Sequence, residues 1–391
     1  MPNILRQEVT ATAHTLVVKV GTRVLTHADG RLNEDRIACL AEDVTAAYDS
    51  GHRVVLVSSG AVGAGMSLLG LNRRPADLAK LQAVAAVGQT SLIETYDRTF
   101  RKHGRRAAQV LLTADDISHR TRYLNVRNTL LSLLEFNAVP IINENDTVAV
   151  DELMTAFGDN DRLAALVTNL LRAPLLVILS DVDGLYDGDP QDPGSQVIPT
   201  VARLNDSIRS LVRDRVTGLS KGGMASKLEA ARIVTTAGEN VIIAGGRHPG
   251  ILKQVLSGED IGTLFLAQGK SVSPWKRWIG FSARPLGRLL LDAGAVRAVA
   301  EQGCSLLAIG IVASEGDFGK GDAVALCDQR GREIARGLTN YAAADLRRIQ
   351  GLASSRIAQV LGHRPYEEVI HRDNLALVGG EASPNDSPLE K

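Results

Sequence analysis

The feature that most constrains this chain is a rhythm running through its first two-thirds. Short, continuous apolar runs alternate with stretches of helical periodicity. The runs fall at residues 16–18, 53–57, 108–112, 139–142, 175–179 and 241–244. Helical patterns lie between most of them, notably at 33–50, 123–136, 159–171 and 224–237. A strand that is apolar throughout is buried on both faces, and an intervening helix lets the next strand run parallel to it. The pattern therefore predicts an α/β fold, an open, mostly parallel sheet with helices on both faces. Ligands of such sheets bind beyond the carboxyl ends of the strands. That is where this chain concentrates its Gly, Ser, Asn and Asp residues.

At 391 residues the chain is too long for one ordinary domain. Its composition changes after residue 270, where Trp275 and Trp278, the only tryptophans, lie close together. We expect a first domain over 1–270 and a linker over 271–283 that packs between domains. A small β-rich module over 284–364 is punctuated by Gly316, Gly319, Gly321 and Gly331. A C-terminal extension follows over 365–391, disordered from about Glu381. No internal repeat is visible. Lys plus Arg total 44 and Asp plus Glu total 44, a balance that argues against a dedicated nucleic-acid binder. The module over 284–364 carries 11 basic and 8 acidic residues, with Phe318 and Tyr341 its only aromatics. That is a thin basis for stacking bases.

Cys39, Cys304 and Cys327 are odd in number and far apart, so we expect free, buried or half-buried thiols in a reducing compartment. Residues 1–13 lack the apolar centre of a signal peptide. No apolar run reaches the roughly 18 residues of a membrane helix. The expectation is a soluble, cytoplasmic protein.

Four polar clusters carry the candidate chemistry. Lys19-Val20-Gly21-Thr22 closes the first strand, and taken alone Lys19 reads as a solvated charge. Ser59-Gly60-Ala61-Val62-Gly63-Ala64-Gly65 follows the second strand. It suits either backbone N–H groups facing an anion or a tight turn with close helix packing. Its spacing, G-x-x-G-x-G, is not that of a dinucleotide fingerprint. Asn143-Glu144-Asn145-Asp146 and Gly158-Asp159-Asn160-Asp161 flank apolar segments. Capping a helix takes one Asp or Asn, and the second cluster has three in a row. Ser180-Asp181 ends a strand, and Lys221-Gly222-Gly223-Met224-Ala225-Ser226-Lys227 enters a helix. This last loop resembles a phosphate cradle but is not the G-x-x-x-x-G-K-[ST] motif, because Leu228 follows Lys227.

In this order the clusters resemble the amino acid kinase family, over about residues 16–372. The module over 284–364 is similar to a PUA domain, through Gly321-Asp322 and the 331–337 stretch. The order of kinase then PUA is that of the branch acting on free glutamate. The resemblance implies phosphorylation of the glutamate side-chain carboxylate by ATP with Mg²⁺, the first step of proline synthesis. Lys19, Lys227 and Asp161 match the catalytic positions, and Ser59, Asp146 and Asn160 the glutamate-binding ones. Lys19, Gly60, Ser180, Asp181, Lys221, Gly222, Gly223, Met224, Ala225, Ser226 and Lys227 match those for ATP. No protein metal ligand is implied. The resemblance further implies a homo-oligomer (dimer or tetramer), inhibition by proline, and a glutamyl-phosphate reductase as partner. The chain departs from the family at Ser220-Lys221, where Gly-Thr is usual, and at Ser180, where Thr is common. The alternatives are a sibling kinase acting on another carboxylate, or a protein that binds RNA through the PUA-like module.

Overall fold

The computed structural model describes residues 3–27, 29–149, 160–211, 223–268, 272–362 and 366–378. The chain divides into two compact units, Met1–Ser271 and Val272–Lys391. The first holds β1 (Thr15–Val20), β2 (Arg53–Val57), β3 (Ala107–Leu112), β4 (Val139–Glu144), β5 (Leu175–Ser180), β6 (Thr200–Val201), β7 (Asn240–Gly245) and β8 (Thr263–Phe265). They form one sheet in the order β3-β4-β2-β1-β5-β7-β8-β6. Every neighbouring pair is parallel except β7 with β8. The expected parallel sheet is therefore present. The apolar runs work as argued: Leu16, Val17, Val18 and Val20 of β1 are all completely buried. β6 and β8 were not foreseen, because strands of two and three residues are too short to leave a pattern.

The four expected helices form over Glu34–Asp49, Arg120–Glu135, Asn160–Leu171 and Met224–Thr236. The first shows why. The Asn33 side chain accepts from the Arg36 N–H, and Glu34 and Asp35 sit in the positive first turn. Ile37, Leu40, Ala41, Val44 and Tyr48 then face the core on one stripe. An additional helix, Ile4–Ala11, docks through buried Arg6. Its guanidinium donates to the carbonyls of Ile261, Pro199 and Gly262 and pairs with Asp260 at 3.0 Å.

The glycine cluster after β2 serves two purposes. Gly60 adopts φ of 101°, a left-handed turn that a side chain would strain. Gly65, by contrast, is a packing residue. A Cβ there would lie 1.9 Å from the Val84 carbonyl oxygen, and one at Gly88 would lie 1.8 Å from that of Ala61. The helices Ala61–Leu68 and Leu78–Arg101 thus touch backbone to backbone. We expect Gly88→Ala to lower stability by at least the ~1–3 kcal/mol of an overpacked core. A thermal denaturation midpoint unchanged from wild type would contradict that close approach.

The second unit contains β9 (Gly287–Leu291), β10 (Ile311–Gly316), β11 (Ala323–Cys327), β12 (Glu333–Leu338) and β13 (Leu375–Leu377). Their order is β10-β9-β11-β12-β13, with only β9 and β11 parallel. The edge strand comes from within the segment expected as an extension. The tryptophan segment also packs here: Trp275 stacks on Trp278 and donates from Nε1 to Asn374 Oδ1 at 2.9 Å. Phe318 and Tyr341 are both buried in this core, so neither ring is available to stack on a base. The three cysteines are free. Cys327 is buried and Cys39 half-buried, whereas Cys304 is exposed, contrary to expectation. No described helix is long and apolar enough to cross a membrane. The stretch from Glu381 lies outside the described residues.

Candidate active site

Parallel strands all present their carboxyl ends to one edge of the sheet, and the polar clusters converge there. Lys19 is the penultimate residue of β1, level with Val57 of β2 and Ile178 of β5. Ser58 and Ser59 follow β2, Asn143 lies in β4, and Ser180 is the last residue of β5. Asn160 and Asp161 open one helix, and Lys227 sits one turn into another. Both helices direct their positive ends at this edge, which favours anions.

At the centre is Asp161, completely buried. Lys19 Nζ lies 2.6 Å from its Oδ1, and Lys227 Nζ lies 3.2 Å from its Oδ2. Ser226 Oγ also donates to Oδ2 at 3.0 Å. Lys19 is 3% exposed, so it is not the solvated charge that its motif alone suggested. Two ammonium groups thus share one buried carboxylate, and Lys227 also acts on the nearby Asp181. Two buried lysines beside two helix N-termini suit an anionic ligand at this edge.

A second group is made of neutral amides and hydroxyls. Asn160 Nδ2 donates to the Ser58 carbonyl, to Ser59 Oγ at 3.2 Å and to Asn143 Oδ1 at 2.8 Å. Asn143 Nδ2 donates in turn to Gln89 Oε1 at 2.7 Å. Ser58 Oγ and the Tyr96 hydroxyl are 3.1 Å apart, and burial holds the Tyr96 pKa well above its ordinary value. Asp146 lies in the turn after β4, half-buried. Across the sheet, Asp181 Oδ2 pairs with Arg23 at 3.0 Å. Burial alone would raise the Asp181 pKa. The Arg23 hydrogen bond and charge, with Lys227 nearby, outweigh burial and lower it. Ser180 Oγ donates to Asp181 Oδ1 at 3.3 Å.

The structure thus brings Lys19, Asp161, Ser226 and Lys227 together, and separately Ser59 and Asn160. Gly60 turns the chain into its helix beside Ser59, and Gly223, Met224 and Ala225 lead into the helix that carries Lys227. Gly223 O lies 3.4 Å from Lys227 Nζ. Lys221 and Gly222 lie outside the described residues, as do Gly158 and Asp159. Four participants were not singled out from the sequence. Arg23 follows the first motif by one residue, and Ser58 stands beside Ser59, so proximity was an available signal. Gln89 and Tyr96 sit inside a long helix and gave none. Among the described residues, no group of three or more His, Cys, Asp or Glu side chains could hold a metal ion.

A mostly parallel sheet with paired, carboxylate-bridged lysines at its carboxyl edge is the architecture of a phosphoryl-transfer enzyme acting without a P-loop. The chain belongs to the amino acid kinase family, which matches over residues 14–245, and a PUA domain matches over 287–361. Among curated proteins it is similar to the glutamate 5-kinase of Rhodopirellula baltica. The two are 48% identical over 373 residues, 95% of this chain and 96% of the relative. The glutamate 5-kinase of Syntrophotalea carbinolica is 45% identical over 374 residues, 95% of this chain and 100% of the relative. Solved structures are more distant. A Giardia lamblia carbamate kinase bound to AMP-PNP shares 18% identity at a TM-score of 0.47, covering 66% of this chain and 100% of that one.

Proposed function

We propose that this chain transfers the γ-phosphoryl group of ATP to the side-chain carboxylate of free L-glutamate. The products are ADP and L-glutamyl 5-phosphate, and the reaction opens proline biosynthesis. The observation that carries this reading is the pair of buried lysines held on Asp161, placed where the fold binds ligands. A glutamate side chain, with a pKa of about 4.3, is already ionised at neutral pH. It needs no general base. The difficulty is bringing that carboxylate against an anionic phosphoryl group, so catalysis reduces to positioning and charge neutralisation.

The roles follow from this chemistry. Lys19 and Lys227 neutralise the transferring phosphoryl group, and Asp161 holds both lysines in place. A carboxylate oxygen of glutamate forms the new bond to phosphorus, and the bond from phosphorus to the departing ADP oxygen breaks. Gly60 and neighbouring backbone N–H groups face phosphate oxygens. Ser59, Asp146 and Asn160 bind glutamate. Ser180 and Asp181 bind the nucleotide together with the segment from Lys221 through Gly222, Gly223, Met224, Ala225 and Ser226 to Lys227. Mg²⁺ enters with the nucleotide as part of the substrate, ligated mainly by phosphates and water. Beyond the reaction, we propose a cytoplasmic homo-oligomer, inhibited by proline, whose labile acyl phosphate is consumed by a glutamyl-phosphate reductase.

The deciding experiment measures ADP release from the full chain with ATP and Mg²⁺. L-glutamate, N-acetylglutamate and L-aspartate are offered separately. Turnover is expected with L-glutamate alone. Turnover with one of the other acids in its place would overturn the substrate and keep the reaction class.

A further inference from the structure

We propose that Gln89, on the Leu78–Arg101 helix, positions the amino-acid pocket by accepting from Asn143 Nδ2 and so holding the side-chain amides of Asn143 and Asn160 in place. This rests on the assignment of Ser59, Asp146 and Asn160 to glutamate.

The orientation of each amide follows from groups whose hydrogen-bonding role is not in question. Asn160 presents one end to the Ser58 carbonyl, which can only accept, so that end is the nitrogen. The same nitrogen meets Asn143 at 2.8 Å, so the Asn143 atom there is the oxygen. That oxygen also receives the backbone N–H of Glu144 at 3.0 Å, and an N–H can only donate. Two backbone groups therefore settle both amides. The nitrogen of Asn143 must donate in the remaining direction, and Gln89 Oε1 receives it at 2.7 Å.

Gln89 is 8% exposed, so no bulk water stands ready to replace it. Without its oxygen, Asn143 Nδ2 is a buried donor with no acceptor, so the side chain gains by shifting towards another acceptor and drawing away from Asn160. Turning over is no remedy, because it would set nitrogen against nitrogen at Asn160 and against the Glu144 N–H. In its present sense Asn160 spends its nitrogen on Ser58, Ser59 and Asn143. Its Oδ1 is left for a ligand. An amide oxygen accepts from the ammonium group of a free amino acid, whereas an amide nitrogen would repel it. Gln89 Nε2 itself is buried without a hydrogen-bond partner. Methionine would fill the same volume without that unpaired donor. A glutamine serving packing alone would carry the donor to no purpose, and the acceptor it brings for Asn143 gives it one.

The test compares wild type, Gln89→Met, Asn143→Ala and the double variant as full chains, with Gln89→Glu alongside. Gln89→Met is expected to raise the KM for glutamate about 10-fold or more, the size seen when an outer partner of a ligand-holding group is removed. Its kcat and its KM for ATP should stay within about twofold of wild type, which a general loss of structure would not allow. Because Gln89 acts through Asn143, the double variant should be no worse than Asn143→Ala alone. Gln89→Glu keeps an acceptor facing Asn143 and should stay nearer wild type. An unchanged glutamate KM in Gln89→Met, or losses that multiply in the double variant, overturns the proposal. If Gln89→Met does not fold, Gln89→Glu carries the test, and a tenfold rise in its glutamate KM overturns it. A wild-type protein silent towards glutamate is a different result, one that removes the substrate assignment itself.

Discussion

Replacing Lys227 with alanine should lower kcat by about 10²–10³-fold, with the KM for glutamate moving by less than about threefold. The ammonium group of Lys227 lies 3.2 Å from Asp161 and is almost fully buried, on a helix whose N-terminus faces the same edge. Charge that develops on a transferring phosphoryl group there is met by Lys227 directly, and a preorganised buried cation is worth more than a solvated one. The fold should tolerate the change. Asp161 keeps Lys19 at 2.6 Å, so alanine at 227 does not strand the carboxylate. Steady-state kinetics paired with thermal denaturation separate the two effects. A kcat equal to wild type in a folded protein would remove Lys227 from the transferring step.

Asp161→Asn should show the reverse balance, with a large loss of stability accompanying the loss of activity. Asparagine keeps the volume of the side chain but removes its charge. Lys19 and Lys227 are then two buried ammonium groups with no shared counter-charge. Taking one partner out of a buried ionic group costs about 3–5 kcal/mol, mostly through the charge left behind. Urea unfolding should therefore give a lower midpoint with an unchanged slope. A loss below about 1 kcal/mol would mean that both lysines swing into water, as exposed ion pairs can. The charge cluster would then not be the buried one described above.

These outcomes bear on how far the amino-acid sequence could be read. Lys19, Asp161 and Lys227 stand in recognisable motifs and could be named from them. Yet Lys19 by itself looked like a solvated charge at the end of a strand. Only the return of the chain at Asn160–Leu171 and Met224–Thr236 supplies the carboxylate and the second ammonium that bury it. The glycines after β2 show the same division. The motif allowed a turn for an anion or a packing contact. Gly60 proved to be the turn and Gly65 the contact, because the partner of Gly65 is Val84, on a helix that begins only after Asp77. Gln89 and Tyr96 gave no local signal at all. A lone polar residue in a helix acquires a role only when another element brings it a partner, here Asn143 for one and Ser58 for the other.

By itself the sequence determined the parallel sheet, the edge that carries the chemistry and the charged residues that meet there. Hydrophobic periodicity and strand-end motifs are local properties, and a chain can express them without knowing its neighbours. Tertiary structure alone decided that two lysines share one carboxylate, that the amides of Gln89, Asn143 and Asn160 run in one direction, and that two helices touch at Gly65 and Gly88. Each of these is a contact between separate elements of the chain, decided by packing, charge and hydrogen-bond balance in a place no single segment specifies.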